Sequence, residues 1–122
     1  MMIAIVDDLF FRGKLEVTAA QLGVPLTIAA DAHSVPRDGG PWSRVLIDLN
    51  LSRGDALAMI RDFRAAHPGV PIVGYGSHVQ QDLQRHALEA GCTTVLARSA
   101  FVQQLRQLLS RRSITSTIGG DG

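Results

Sequence analysis

The sequence predicts an α/β fold: one domain on a parallel sheet, with helices packed on its faces and right-handed crossovers. Three observations carry that expectation. Five apolar runs recur, each too short for a helix. Stretches with helical period lie between most of them. The 122 residues make one ordinary domain, long enough to bury roughly two-thirds of the surface of the unfolded chain without a disulfide or metal staple.

The runs are Met2–Val6, Leu26–Ala30, Val45–Ile47, Ile72–Val73 and Val95–Ala97. Each reads as a strand buried on both faces, as parallel sheets require. After the first, Phe11, Leu15, Thr18/Ala19 and Leu22 form a helical stripe that Gly23 stops. After the third, Leu57, Ile60 and Phe63/Arg64 form a second stripe, ended by His67-Pro68-Gly69. Val79, Leu83, Ala87 and Ala90 form the next, ended by Gly91, with Ser77 and Gln80 spaced as a capping box. Phe101, Leu105 and Leu108/Leu109 form the last, with Ser99 as N-cap and Arg111-Arg112 near the negative end of the dipole.

The second crossover breaks the pattern. From Asp31 to Ser43, "DAHSVPRDGGPWS" holds two prolines and two glycines, which allows at most one helical turn. Trp42 in this loop is expected to pack over the sheet edge; the alternative is an exposed anchor for a partner or a second copy. The domain is expected to span residues 1–112, with a small, polar, flexible tail over 113–122.

Composition narrows the function classes. With net charge +1 and 46% hydrophobic residues the balance is globular, and no strong field points to nucleic acid or membrane. Arg106, Arg111 and Arg112 give the last helix only the mild bias of a solvated face. No apolar stretch approaches a bilayer span, and the N-terminus reaches Asp7 without the pattern of a secretory signal, so a cytoplasmic location is expected. Cys92 is the only cysteine, which excludes an internal disulfide and any multi-cysteine zinc site. His33, His67 and His86 show no ligand spacing.

The chemistry gathers on aspartates. In a parallel α/β sheet, ligands sit beyond the carboxyl ends of the strands, where strand order reverses. Asp7 and Asp8 follow the first strand and Asp48 the third. If those strands are neighbours, three carboxylates share one small site. Their charges repel unless a cation is shared, and hard oxygen ligands suit Mg²⁺, which can bridge to a phosphoryl group.

At this point the sequence resembles the response-regulator receiver (CheY-like) domain. "IAIVDD" resembles that family's first strand with its acidic pair, and "VLIDLNLSRGDAL" its third strand, phosphoacceptor and following loop. "VPIVGYGS" and "TTVLARSAF" resemble the fourth and fifth strands, so the likeness covers about residues 2–110. It implies a flavodoxin-like (βα)5 doubly wound parallel five-stranded sheet of order 2-1-3-4-5, its second helix shortened or replaced by a loop. It also implies that Asp48 accepts phosphate, that Asp7, Asp8 and Asp48 hold Mg²⁺, and that the backbone carbonyl of Asn50 completes the metal shell. The family takes its phosphoryl group from a histidine kinase or phosphotransfer protein, and an output protein reads the altered surface. A homodimer through the fourth and fifth crossover helices is the further association the family suggests.

The chain departs from the family at four positions. Gly76 stands where a hydroxyl residue ends the fourth strand, leaving Ser77, one residue later, as the hydroxyl donor. Arg98-Ser99 replace a lysine and proline; arginine keeps the charge and can fork onto phosphate, but is larger. Val95 replaces an aromatic switch residue.

Three readings stay open. The first is an atypical stand-alone receiver, not an enzyme, that accepts phosphate on Asp48 and signals through protein contacts, since the chain ends ten residues after the last helix. The alternative is a phosphorylation-independent pseudo-receiver that binds proteins, with Arg98 paired to Asp48. The third is a phosphatase with Asp48 as nucleophile and His78 as the nearest acid/base candidate.

Overall fold

A computed structural model describes residues 1–36, 40–51, 54–76 and 81–110. In chain order it runs β1 (Met2–Ile5), α1 (Leu9–Leu22), β2 (Leu26–Ala29), a 3-10 turn (Ala32–Ser34), β3 (Arg44–Asp48), α2 (Ala56–Ala66), β4 (Ile72–Gly76), α3 (Gln81–Ala90), β5 (Thr94–Ala97), α4 (Arg98–Gln103) and α5 (Leu105–Leu109). All strand pairs are parallel, in the order β2-β1-β3-β4-β5. This is the flavodoxin-like order that the sequence implies.

Alternation along the central strands splits the core in two. Ile3, Ile5, Val45, Ile47 and Ile72 meet Met59, Ile60 and Phe63 of α2 on one face, with Ala87 of α3. Met2, Ala4, Val6, Leu46, Val73 and Tyr75 meet Phe11 and Leu15 of α1, Phe101 of α4 and Leu105, Leu108 and Leu109 of α5 on the other. Both faces are covered, which is why the strands are apolar without a polar side.

Among its described residues the second crossover holds one 3-10 turn, in line with its prolines and glycines. Trp42 is 7% exposed and belongs to the α2 face of the core. It is packed into that core rather than exposed as an anchor.

Local chemistry sets the helix ends. Asp8 caps α1, and at its other end the Gly23 N–H bonds to Ala19 and Ala20 carbonyls. Asp55 caps α2 through the Ala58 N–H at 3.1 Å. Gly91 ends α3 at φ +135°, where an added Cβ would lie 2.8 Å from the Arg64 Cβ.

Three expectations need correction. β4 runs three residues past Val73, through Gly74 and Gly76, because β3 and β5 pair on both its sides. The last stripe is two helices, broken at Gln104. Ser99 is not the N-cap: β5 leads directly into α4, so the cap position falls on Ala97, which makes no side-chain cap bond. The Ser77–Gln80 capping box, Arg111-Arg112 and the tail lie outside the described residues.

Candidate functional site

The register brings the acids together. Ile5 pairs with Ile47, so Val6 is level with Asp48, and Asp7 and Asp8 stand just beyond. Asp48 is the last residue of β3 and pairs with Tyr75 of β4. Strand alternation places it on the face of Leu46, toward α1 and α4.

Asp48 is half-buried, and its Oδ1 accepts the Asn50 N–H at 2.8 Å. Burial pushes its pKa up; the Asn50 N–H opposes this, the Asp7 charge adds to it, and Arg98 pulls it back. Environment thus holds back the charge of a carboxylate that would be an exposed anion in a turn.

Asp8 does two jobs at once. Its Oδ1 accepts the N–H groups of Phe10 at 3.0 Å and Phe11 at 3.3 Å, capping α1. Its Oδ2 accepts Arg98 Nη2 at 3.0 Å. The Phe11 N–H, above all, draws its pKa down, with Arg98 acting in the same direction.

Arg98 is positioned by the β5–α4 junction. Its guanidinium carbon lies 4.9 Å from the centroid of the Phe11 ring. Phe11 is 5.2 Å from Tyr75 and 5.7 Å from Phe101, while Tyr75 and Phe101 stack at 4.0 Å. The Tyr75 hydroxyl is buried and finds no hydrogen-bond partner among the described residues. Val95 sits on the opposite face, against the α2-side core.

Asp7, Asp8, Asp48, Asn50 and Arg98 therefore share one end of the sheet. Arg98 pairs with Asp8 rather than with Asp48 as the pseudo-receiver reading supposed. Gly76 ends β4 beside Ala97; Ser77 and His78 lie outside the described residues. The sequence reading treated Phe11 and Phe101 only as core stripe residues and did not place Tyr75 at the site. Phe11, three residues after Asp8, carried the only hint, since that is the N3 spacing of a capping aspartate.

The donor set, three carboxylates and a carbonyl, has the hard-oxygen chemistry that a divalent ion takes. As they stand, no three His, Cys, Asp or Glu side chains among the described residues are gathered closely enough to hold a metal. Asp8, turned to its helix cap and to Arg98, is the reason we find in the geometry.

Neither protein-family models nor curated proteins match the sequence. Solved structures do match the fold. A response regulator from Burkholderia pseudomallei, with a phosphorylated aspartic acid, calcium ion and citrate, superposes with TM-score 0.79 at 18% identity, over 98% of this chain and 71% of that one. The chain has the fold of a response-regulator receiver domain. Chemotaxis protein CheY4 of Vibrio cholerae matches with TM-score 0.76 at 16% identity, over 88% of this chain and 97% of that one. A CheY-like receiver domain from Methanospirillum hungatei gives 0.75 at 14%, over 88% and 91%. The receiver fold therefore accommodates the short second crossover without a change of strand order. No helix among the described residues is long and apolar enough to cross a membrane.

Proposed function

We propose that this chain is a signalling module of two-component type rather than an enzyme, accepting a phosphoryl group on Asp48 with Mg²⁺ present. One observation carries the reading: a half-buried aspartate at a strand's carboxyl end, with Asp7, Asp8 and Arg98 around it. The phosphorylated aspartic acid and calcium ion of the Burkholderia protein support it by likeness.

In the reaction an Asp48 carboxylate oxygen attacks phosphorus on a phosphohistidine. The P–N bond breaks, an acyl phosphate forms, and the leaving imidazole takes a proton. Asp7, Asp8, Asp48 and the Asn50 carbonyl would hold Mg²⁺, whose charge offsets that of the acids and the phosphoryl oxygens. Asn50 holds the Asp48 carboxylate through its N–H, and Arg98 supplies a planar fork for phosphoryl oxygens. The donor is a histidine kinase or phosphotransfer protein, and an output protein or a second copy reads the result. Leu9 and Phe10, 80% and 81% exposed directly after Asp8, offer an apolar contact beside the site.

Acetyl phosphate with Mg²⁺, followed by intact mass, tests this. One phosphoryl adduct on the wild type and none on Asp48→Ala is expected. No adduct, or equal addition to both, would overturn the reading.

A second reading has its own observation. Arg98 bound to Asp8, with no hydroxyl on Gly76, fits a protein-binding module indifferent to phosphate. A partner that binds wild type and Asp48→Ala equally, with no adduct formed, would decide for it.

A further inference from the structure

We infer that Phe11 is a positioning residue, its ring face aiming the Arg98 guanidinium at the acid pocket. The inference rests on the phosphoacceptor reading for its purpose, but its geometry stands apart from it.

Among the described residues Arg98 has one polar anchor, Asp8 Oδ2 at 3.0 Å, and its side chain is 39% exposed. A single ion pair at that exposure holds a long side chain loosely, because ordering it costs rotamer entropy. The second restraint is the ring. At 4.9 Å from the Phe11 centroid, the guanidinium lies over the electron-rich face, in the range of a cation–π contact.

The ring itself cannot turn away. Phe11 is 2% exposed and packed against both Tyr75 and Phe101. Phe11 also donates its N–H to Asp8, the acid that Arg98 binds. One residue therefore restrains both members of the ion pair: backbone on the carboxylate, ring on the guanidinium. A lysine, compact and strongly hydrated, would gain less from that ring, which gives a reason for arginine here.

The test separates aim from packing. Phe11 is replaced by a ring-fluorinated phenylalanine, which keeps the shape and weakens the face charge, and by Leu (Phe11→Leu). Mobility of the Arg98 Nε–H group is read by NMR relaxation, without phosphate. Rate and half-saturation with acetyl phosphate and Mg²⁺ are read by intact mass.

Fluorination and Phe11→Leu are expected to loosen the Arg98 side chain. They should lower the ratio of maximal rate to half-saturation about two- to five-fold. In an Arg98→Ala background neither should lower it further. An Arg98 as ordered in both variants as in the wild type, or an equal loss without Arg98, would overturn the inference. If the wild type itself takes no phosphate, the phosphoacceptor reading falls, and the relaxation data still decide whether Phe11 aims Arg98.

Discussion

Tyr75→Phe should stabilise this protein, against the usual direction of core substitutions. Tyr75 is 2% exposed, and its ring makes the tightest aromatic contact in the core, 4.0 Å from Phe101 at 19°. Its hydroxyl, however, is buried with no partner among the described residues. A buried unsatisfied hydroxyl costs about 1–3 kcal/mol, while the stack does not depend on it. Burial, with the charge of Asp48 behind it, pushes the phenol pKa up, so the group stays neutral and cannot repay its cost by ionising. We expect a gain of about 1 kcal/mol, or roughly 4 °C in Tm for a domain of this size. Tyr75→Leu, which loses the ring as well, should cost about 3 kcal/mol. Urea unfolding followed by Trp42 fluorescence measures both, since Trp42 lies in the core on the other face of the sheet. A Phe variant weaker than wild type by more than about 0.5 kcal/mol would show that the hydroxyl has a partner.

Three further outcomes are expected. Arg64 donates Nε and Nη2 to the Gly91 carbonyl at 3.1 and 2.6 Å, and Nη1 to Pro68 and Val70 carbonyls at 2.8 and 2.7 Å. Arg64→Ala should cost about 2 kcal/mol in urea and leave phosphorylation intact, because it acts before β4, at the end of the sheet away from Asp48. Asp48→Asn should stabilise by on the order of 1 kcal/mol at neutral pH. Because the folded pKa is raised above 3.8, the stability tied to the protonated acid is full below that value and lost as pH rises through the folded pKa. The advantage of the variant should therefore vanish toward pH 3 and grow to a plateau at neutral pH; a pH-independent difference in Tm would refute this. Arg98→Ala should tighten Mg²⁺ binding up to about five-fold by freeing Asp8 from a competing cation, and weaker binding by calorimetry would count against Arg98 as the competitor.

The strands were legible because a parallel sheet buried on both faces leaves short apolar runs, while their order came only from the resemblance to the receiver family. The end of β4 was not, because Gly74 and Gly76 look like breakers. In the fold an added Cβ at Gly74 would meet Leu49 Cδ2 at 3.1 Å and Cys92 Sγ at 3.2 Å, so close packing rather than a turn calls for glycine there. The acids were legible from their positions at strand ends. Asp8 was read only as a metal ligand; the structure shows it also caps α1, which its position just before the helical stripe allowed but did not announce. Arg44, 5% exposed at the start of β3, donates Nη1 to the Leu108 carbonyl at 2.6 Å, a contact no local pattern announces. The same holds for the aromatic group, since Phe11, Tyr75 and Phe101 come from three distant elements.

The position of that group decides where a change at the site can go. The α2 face is filled by Trp42, Met59 and Phe63, and Val95 packs there too. The α1 and α4 face holds Asp8, Arg98 and the three rings in one connected set. Arg98 is the first residue of α4, and Phe101, one turn on, stacks on the strand neighbour of Asp48. Added negative charge at Asp48, from any source, pulls on the nearest guanidinium. Moving Arg98 toward Asp48 weakens its hold on Asp8, the cap of α1, and on Phe11 in its first turn. On this reading the first elements to respond would be α1 and α4, on the face opposite Trp42 and Val95.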